Sequence, residues 1–146
     1  MYIGNICVTL RRKLATVNTV DKVNTMGTVL IVDDEENFLQ IIQIVLKRAG
    51  YQTLVAADGI KGLDMVYVHQ PDIVILDDMM PGLTGGDVCL RLKSDPTVSH
   101  IPVVMHSAGA KVRNRDYIAR IGADDVLFKP SLPADIVEKV NNWVQA

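Results

Sequence analysis

At 146 residues, 49% apolar and 22% charged, the chain has ordinary globular proportions, enough for one domain with a sizeable core and too few for two. A formal charge of −2 excludes a strongly basic nucleic-acid footprint and an acidic tail. Its two cysteines, Cys7 and Cys89, stand far apart and form neither a CxxC pair nor a Cys/His metal pattern, which fits a reducing, cytoplasmic setting.

Residues 1–27 carry Arg11, Arg12, Lys13 and Lys22 against Asp21, a net +3 that leaves −5 for the rest. A basic extension, residues 1–26, therefore precedes an acidic domain at 27–146. It is no signal peptide, because its apolar stretch precedes the basic cluster, and it is too short to span a bilayer, so no membrane insertion is expected. It reads as a poorly ordered tail, or as a stretch ahead of a true start at Met26, in preference to a membrane-grazing helix.

From Thr28 the pattern alternates. Apolar runs at 29–32, 53–57, 72–76, 101–105 and 125–128 read as five strands buried on both faces. Helical stripes lie between them. Phe38, Ile41, Ile42, Val45, Leu46 and Ala49 recur at helical spacing up to Gly50. Ile60, Leu63, Met65 and Val66 form a second helix closed by Pro71, and Val88 and Leu92 a third ended by Ser94-Asp95-Pro96. Val112 to Ile121 forms a fourth ended by Gly122, and a fifth after Pro133 stacks Ile136, Val137, Val140, Trp143 and Val144. Strict alternation with short connections predicts an α/β fold, a parallel sheet with helices on both faces.

Ligands of such sheets bind beyond the carboxyl ends of the strands. The first strand leaves Asp33 and Asp34 there, the third Asp77, the fourth Ser107 and the fifth Lys129. Each has an ordinary reading as a cap, a turn former or a snorkelling lysine, yet all five falling on one edge by accident is much harder to accept than a site. Three crowded carboxylates raise one another's pKa unless a cation neutralises them, and an all-oxygen cluster calls for a hard divalent ion, Mg²⁺ first. A carboxylate nucleophile can accept a phosphoryl group, with a lysine ammonium and a hydroxyl offsetting charge on the transferred oxygens.

With VDDE at 32–35, LDDMMPGLTGG at 76–86, HSAG at 106–109 and FKP at 128–130 in this order, the stretch from Thr28 to Ala146 resembles the receiver domain of bacterial two-component response regulators, of the chemotaxis, stand-alone type. The resemblance implies a flavodoxin-like, doubly wound five-stranded parallel sheet of order 2-1-3-4-5 with five helices. It implies that Asp77 is the phosphoacceptor, and that Asp33 and Asp34 hold Mg²⁺ together with Asp77 and the backbone carbonyl of Met79. Ser107 would bond the phosphoryl group, Lys129 would pair with it, and the Lys129-Pro130 bond would be cis. A sensor histidine kinase or phosphotransfer protein would supply the phosphoryl group and a separate protein would read the result, with no nucleic acid bound and the chain a monomer or weak dimer.

Strand side chains alternate faces, so Asp77 and the adjacent Asp78 cannot both point into one site, and the motif register selects Asp77. Three departures from the family pattern stand out. Thr84 or Gly85 replaces the usual acidic residue before the loop glycine. Met79 and Gly109 bring no polar side chain to orient a hydrolytic water. Val126 stands where many members carry a switch aromatic; its stiff χ1 directs the expected signal through the loops at 78–86 and 107–112, and a response concentrated at 126–140 would instead point to Phe128 or Tyr117 as a substitute reporter.

Three rival readings each meet a residue that argues against them. A phosphohydrolase of the haloacid dehalogenase type needs a second Asp two residues after the first, where this chain has Met79. A flavin or nucleotide binder needs a phosphate cradle after the first strand, where this chain has Asp33-Asp34-Glu35-Glu36. A phosphorylation-independent docking module would have lost an acidic or lysine position, and none is lost. The expectation is a signalling switch and not an enzyme.

Overall fold

The apolar runs become the strands of one parallel sheet. In the computed structural model, which describes residues 25–145, these are β1 (Thr28–Val32), β2 (Gln52–Ala56), β3 (Ile73–Leu76), β4 (Val103–Ser107) and β5 (Asp125–Phe128). Their order is β2-β1-β3-β4-β5, every neighbouring pair parallel. This is the predicted doubly wound order.

Successive residues of the central strands serve opposite cores, as the two-residue period requires. Leu30, Val32, Val74, Leu76, Val103 and Met105 face one cluster. Val29, Ile31, Ile73, Ile75 and Val104 face the other. Burial on both faces holds for β1, β3 and β4 but not for all five strands: Gln52 and Phe128 are exposed and most of β2 and β5 is half-buried. The strand order explains this, because β2 and β5 are the sheet edges.

Five α-helices cover the sheet among the described residues: α1 (Glu36–Arg48), α2 (Gly59–His69), α3 (Gly85–Ser94), α4 (Arg115–Ile121) and α5 (Pro133–Val144). Leu39, Ile42 and Leu46 of α1 and Ile136 and Val140 of α5 pack on one face. Val66 of α2, Val88 and Leu92 of α3 and Ile121 of α4 pack on the other. The first, second, third and fifth helices lie where the stripes place them. The fourth is divided: Ala110–Arg113 is a 3₁₀ turn, and Asn114 then caps α4 by accepting from the N–H groups of Asp116 at 2.9 Å and Tyr117 at 3.2 Å. A side chain that satisfies two orphan donors starts a helix, so the helix begins after Asn114, inside the polar run 113–116, and not at Val112. Gly122, at φ 77°, ends α4 in the left-handed region that glycine enters without cost.

Thr84, the loop departure noted in the sequence, opens α3 with a capping box: its hydroxyl accepts from Asp87 N–H at 3.2 Å while Asp87 Oδ2 accepts from Thr84 N–H at 3.3 Å. At the far edge Asp125 fastens β5 to α5, accepting from Trp143 Nε1 at 2.9 Å and pairing with Lys139 at 3.1 Å.

Most of the basic extension, residues 1–24, lies outside the described residues. Met26, at its inner end, donates its N–H to Gly50 O at 2.9 Å. No helix among the described residues is long and apolar enough to cross a membrane.

Candidate functional site

Four parallel strands end at the same edge of the sheet, and the register aligns their exits. Val32 pairs with Leu76, Leu76 with Met105, and Ser107 with Phe128. The next residues along β1, β3 and β5 are Asp33, Asp77 and Lys129, while Ser107 closes β4. Asp33, Asp34 and Asp77 each offer an oxygen, and these atoms lie within 4.8 Å of one another. Asp33 and Asp77 are 1% and 5% exposed, whereas Asp34 faces solvent.

Lys129 completes the group. Its ammonium lies 2.7 Å from Asp33 Oδ2, 3.8 Å from Asp77 Oδ1 and 4.8 Å from the centroid of the Phe38 ring. Its backbone N–H donates to Ser107 O at 3.1 Å, and its bond to Pro130 is cis, as the resemblance implies. Ser107 Oγ accepts from Gly109 N–H at 3.1 Å. Met79 lends Asp77 Oδ1 its backbone N–H at 3.4 Å.

Burial, and then the neighbouring Asp33, push the Asp77 carboxyl up to about 6; Lys129 and the Met79 N–H act against the rise without cancelling it. Three carboxylates beside one ammonium leave the site short of positive charge. A hard divalent cation fits that deficit: the donors are all oxygen, one is solvent-facing, and the burial and carboxylate repulsion that raise the Asp77 pKa are both offset by a nearby cation. Asp33, Asp34 and Asp77 could hold such an ion.

Asp78 turns away, as strand alternation requires. Its Oδ1 accepts from Gly86 N–H at 2.8 Å and from Tyr117 O–H at 2.9 Å, at only 5% exposure. Burial and the bond to Asp78 push the Tyr117 hydroxyl pKa up, so it remains a donor. This contact escaped sequence reasoning, in which Tyr117 appeared only as a possible reporter. His106 entered it only as the first residue of the 106–109 motif, with no role of its own. The residue is 1% exposed, its ring lies tilted against Phe38 with centroids 5.0 Å apart, and Nε2 meets Ser131 Oγ at 2.7 Å. The signal was there to see, since a histidine inside the apolar run ending β4 breaks the strand's pattern.

Comparison with known proteins decides the family. The response regulator receiver domain matches residues 29–141 of this chain. The chain belongs to that family. As receivers, its relatives are typically phosphorylated on an aspartate with Mg²⁺ in two-component systems. It is 39% identical over 114 residues to the DNA-binding response regulator MtrA of Mycobacterium tuberculosis, covering 77% of this chain and 48% of MtrA. It is 34% identical over 113 residues to the phosphate regulon transcriptional regulatory protein PhoB of Pseudomonas aeruginosa, covering 77% of this chain and 49% of PhoB. This receiver thus spans about half the length of those two relatives. Among solved structures, chemotaxis protein CheY4 of Vibrio cholerae superposes with a TM-score of 0.75 at 26% identity, covering 82% of this chain and 99% of CheY4. The receiver domain of Francisella response regulator 1452 gives 0.74 at 28% identity, over 82% and 97% of the two chains.

Proposed function

We propose that this receiver is a cytoplasmic phosphoacceptor switch in which Asp77 takes a phosphoryl group from a histidine kinase or phosphotransfer protein. The observation that carries the reading is the buried Asp77 carboxyl, within 4.8 Å of ligand oxygens on Asp33 and Asp34 and 3.8 Å from the Lys129 ammonium. An Asp77 carboxylate oxygen would form the new P–O bond as the donor's P–N bond breaks. The donor imidazole keeps the electron pair and takes a proton from solvent.

The residues divide the work by charge. Asp33, Asp34, Asp77 and the Met79 carbonyl would hold Mg²⁺, which when bound supplies positive charge to the carboxylates and the phosphoryl oxygens. Asp77 must be ionised to attack, so a cation that lowers its raised pKa also prepares the nucleophile. Lys129 needs only a short swing from Asp33 to reach a group on Asp77. Ser107 can donate its hydroxyl while still accepting from Gly109. Asp78 is engaged by Gly86 and Tyr117 and takes no part in the phosphoryl transfer itself.

Mass spectrometry after incubation with acetyl phosphate and Mg²⁺ tests the reading. Wild type and Asp78→Asn should each gain one phosphoryl group, while Asp77→Asn should gain none. Phosphorylation of Asp77→Asn but not of Asp78→Asn would move the acceptor by one residue. Steady release of phosphate from a small ester would instead support a hydrolase.

The reader of the switch is proposed to be a protein. A second reading draws on MtrA and PhoB, which are named as DNA-binding and transcriptional regulators: the same switch would then govern a DNA-binding segment or partner. Co-purification with and without beryllofluoride separates the two by what the captured protein binds.

A further inference from the structure

A buried polar node joins the end of β3 to α4. Asp78 supplies its centre: the carboxylate takes Gly86 N–H and Tyr117 O–H, and the main-chain carbonyl takes the N–H groups of Met80 and Gly85, each at 3.1 Å. The two glycines are dictated by this packing. A Cβ on Gly86 would lie 2.0 Å from Tyr117 Oη, and one on Gly85 would lie 2.0 Å from the Asp77 carbonyl oxygen. The outer part of the Tyr117 ring carries cations, with the Arg120 guanidinium 5.5 Å and Lys111 Nζ 5.9 Å from its centroid.

We propose that Tyr117 couples the state of Asp77 to the placement of α4, acting through Asp78 as a positioning residue. The inference rests on the phosphoacceptor reading of Asp77. Ser107 can turn toward a group on Asp77 only by carrying or releasing the Gly109 N–H that its Oγ now accepts. Gly109 runs straight into the 3₁₀ turn at Ala110–Arg113 and, through the Asn114 cap, into α4. A change at Asp77 therefore pulls on the N-terminal side of α4, while the Tyr117 hydroxyl holds the same helix against β3.

That hydroxyl bond is made at 2.9 Å in the unphosphorylated chain, to a carboxylate that is 5% exposed. An O–H donor on a buried carboxylate belongs to the stronger class of hydrogen bond. A displaced α4 must stretch it or leave Asp78 short of a donor, so the latch favours the unphosphorylated arrangement. The fifth strand offers no better reporter. Val126 is β-branched and stiff at χ1. Phe128 is 42% exposed, with Arg113 lying 4.4 Å over its ring, and makes no bond to the phosphoacceptor strand.

Beryllofluoride with Mg²⁺, a stand-in for the phosphoryl group on Asp77, tests the coupling by calorimetry and by amide hydrogen exchange of residues 115–121. Tyr117→Phe keeps the ring and removes only the latch oxygen. It should bind beryllofluoride about threefold to tenfold more tightly, a fraction of what a hydrogen bond to a charged group is worth. Its unliganded α4 amides should exchange like those of the liganded wild type. Asp78→Asn keeps an acceptor for both donors without the charge, and should fall between wild type and Tyr117→Phe. Unchanged or weaker binding by Tyr117→Phe, or an equal loss of α4 protection in its free and liganded states, would overturn the coupling while wild-type binding leaves the Asp77 reading standing. No beryllofluoride binding by the wild type would overturn that reading, and the coupling with it.

Discussion

Lys129 sits on Asp33, with its ammonium 2.7 Å from Asp33 Oδ2 and 3.8 Å from Asp77 Oδ1. The lysine proposed to pair with a phosphoryl group on Asp77 is, in the resting chain, the counter-ion of a carboxylate that is 1% exposed. Removing one partner of a buried pair leaves the other charge uncompensated. Lys129→Ala should therefore fold but lose about 2 to 4 kcal/mol in metal-free buffer. Saturating Mg²⁺ should recover part of that loss by taking over Asp33. Urea denaturation in EDTA and in Mg²⁺ checks both, and equal losses in the two buffers would separate Asp33 from the metal.

Mg²⁺ itself should stabilise the domain. A ligand held only by the native state contributes about 2.7 kcal/mol at a hundredfold excess over its Kd. The melting temperature should rise with Mg²⁺, and Asp34→Asn, which alters the solvent-facing member of the cluster, should blunt the rise. A melting temperature indifferent to Mg²⁺ in both proteins would remove the ion from the site.

Two buried groups should oppose each other in acid. The Asp77 carboxyl rises from 3.8 to about 6 in the folded, metal-free chain, so the native state binds the extra proton and stability increases as pH falls from 6 toward 4. Burial and then Lys129 depress His106 from 6.5 to about 4, so the unfolded state binds that proton and stability decreases over nearly the same window. Each effect is on the order of 2 to 3 kcal/mol before relaxation is allowed for. The contributions of these two groups should nearly cancel. Asp77→Asn should then lose stability toward pH 4 faster than wild type, and His106→Gln should lose it more slowly. Denaturation midpoints at pH 4.5, 5.5 and 7 in EDTA give the slopes, and parallel curves for all three proteins would contradict both assignments.

Glycine substitutions should separate close packing from backbone strain. Gly86→Ala drives a methyl into the Tyr117 hydroxyl and should cost about 2 to 4 kcal/mol. Gly82 has φ 78° and nothing within 4 Å of a built Cβ, so Gly82→Ala should cost only about 1 kcal/mol of left-handed strain. Comparable losses at the two positions would mean that Tyr117 yields easily.

What the sequence carried and what it hid have physical reasons. Strands buried on two faces leave unbroken apolar runs, so β1, β3 and β4 are plain, and carboxylates and a lysine at the mouths of several such runs are hard to explain together except as a site. The edge strands carry apolar runs too, at 53–57 and 125–128, so they are read as strands, but their partial exposure follows only from the strand order. The Asn114 cap lies in the polar run 113–116, and Val112 on its near side lends the following helix an apolar start that belongs to the 3₁₀ turn. Asp78 and Tyr117 are 39 residues apart, and neither breaks a local rule strongly enough to announce the other. The preference of Lys129 for Asp33 over Asp77 is a matter of about an ångström, which no spacing encodes.

Trp143 is the only tryptophan in the chain, and its indole N–H is bound to Asp125 at the beginning of β5, the end of the strand remote from Lys129. No ligand on the carboxylates can touch that ring or quench it by contact. Its fluorescence is thus a distant observer built into the domain. A shift in emission when Mg²⁺ or beryllofluoride binds would have to be relayed along β5 or through α5, and a silent indole would confine the response to the mouth of the sheet.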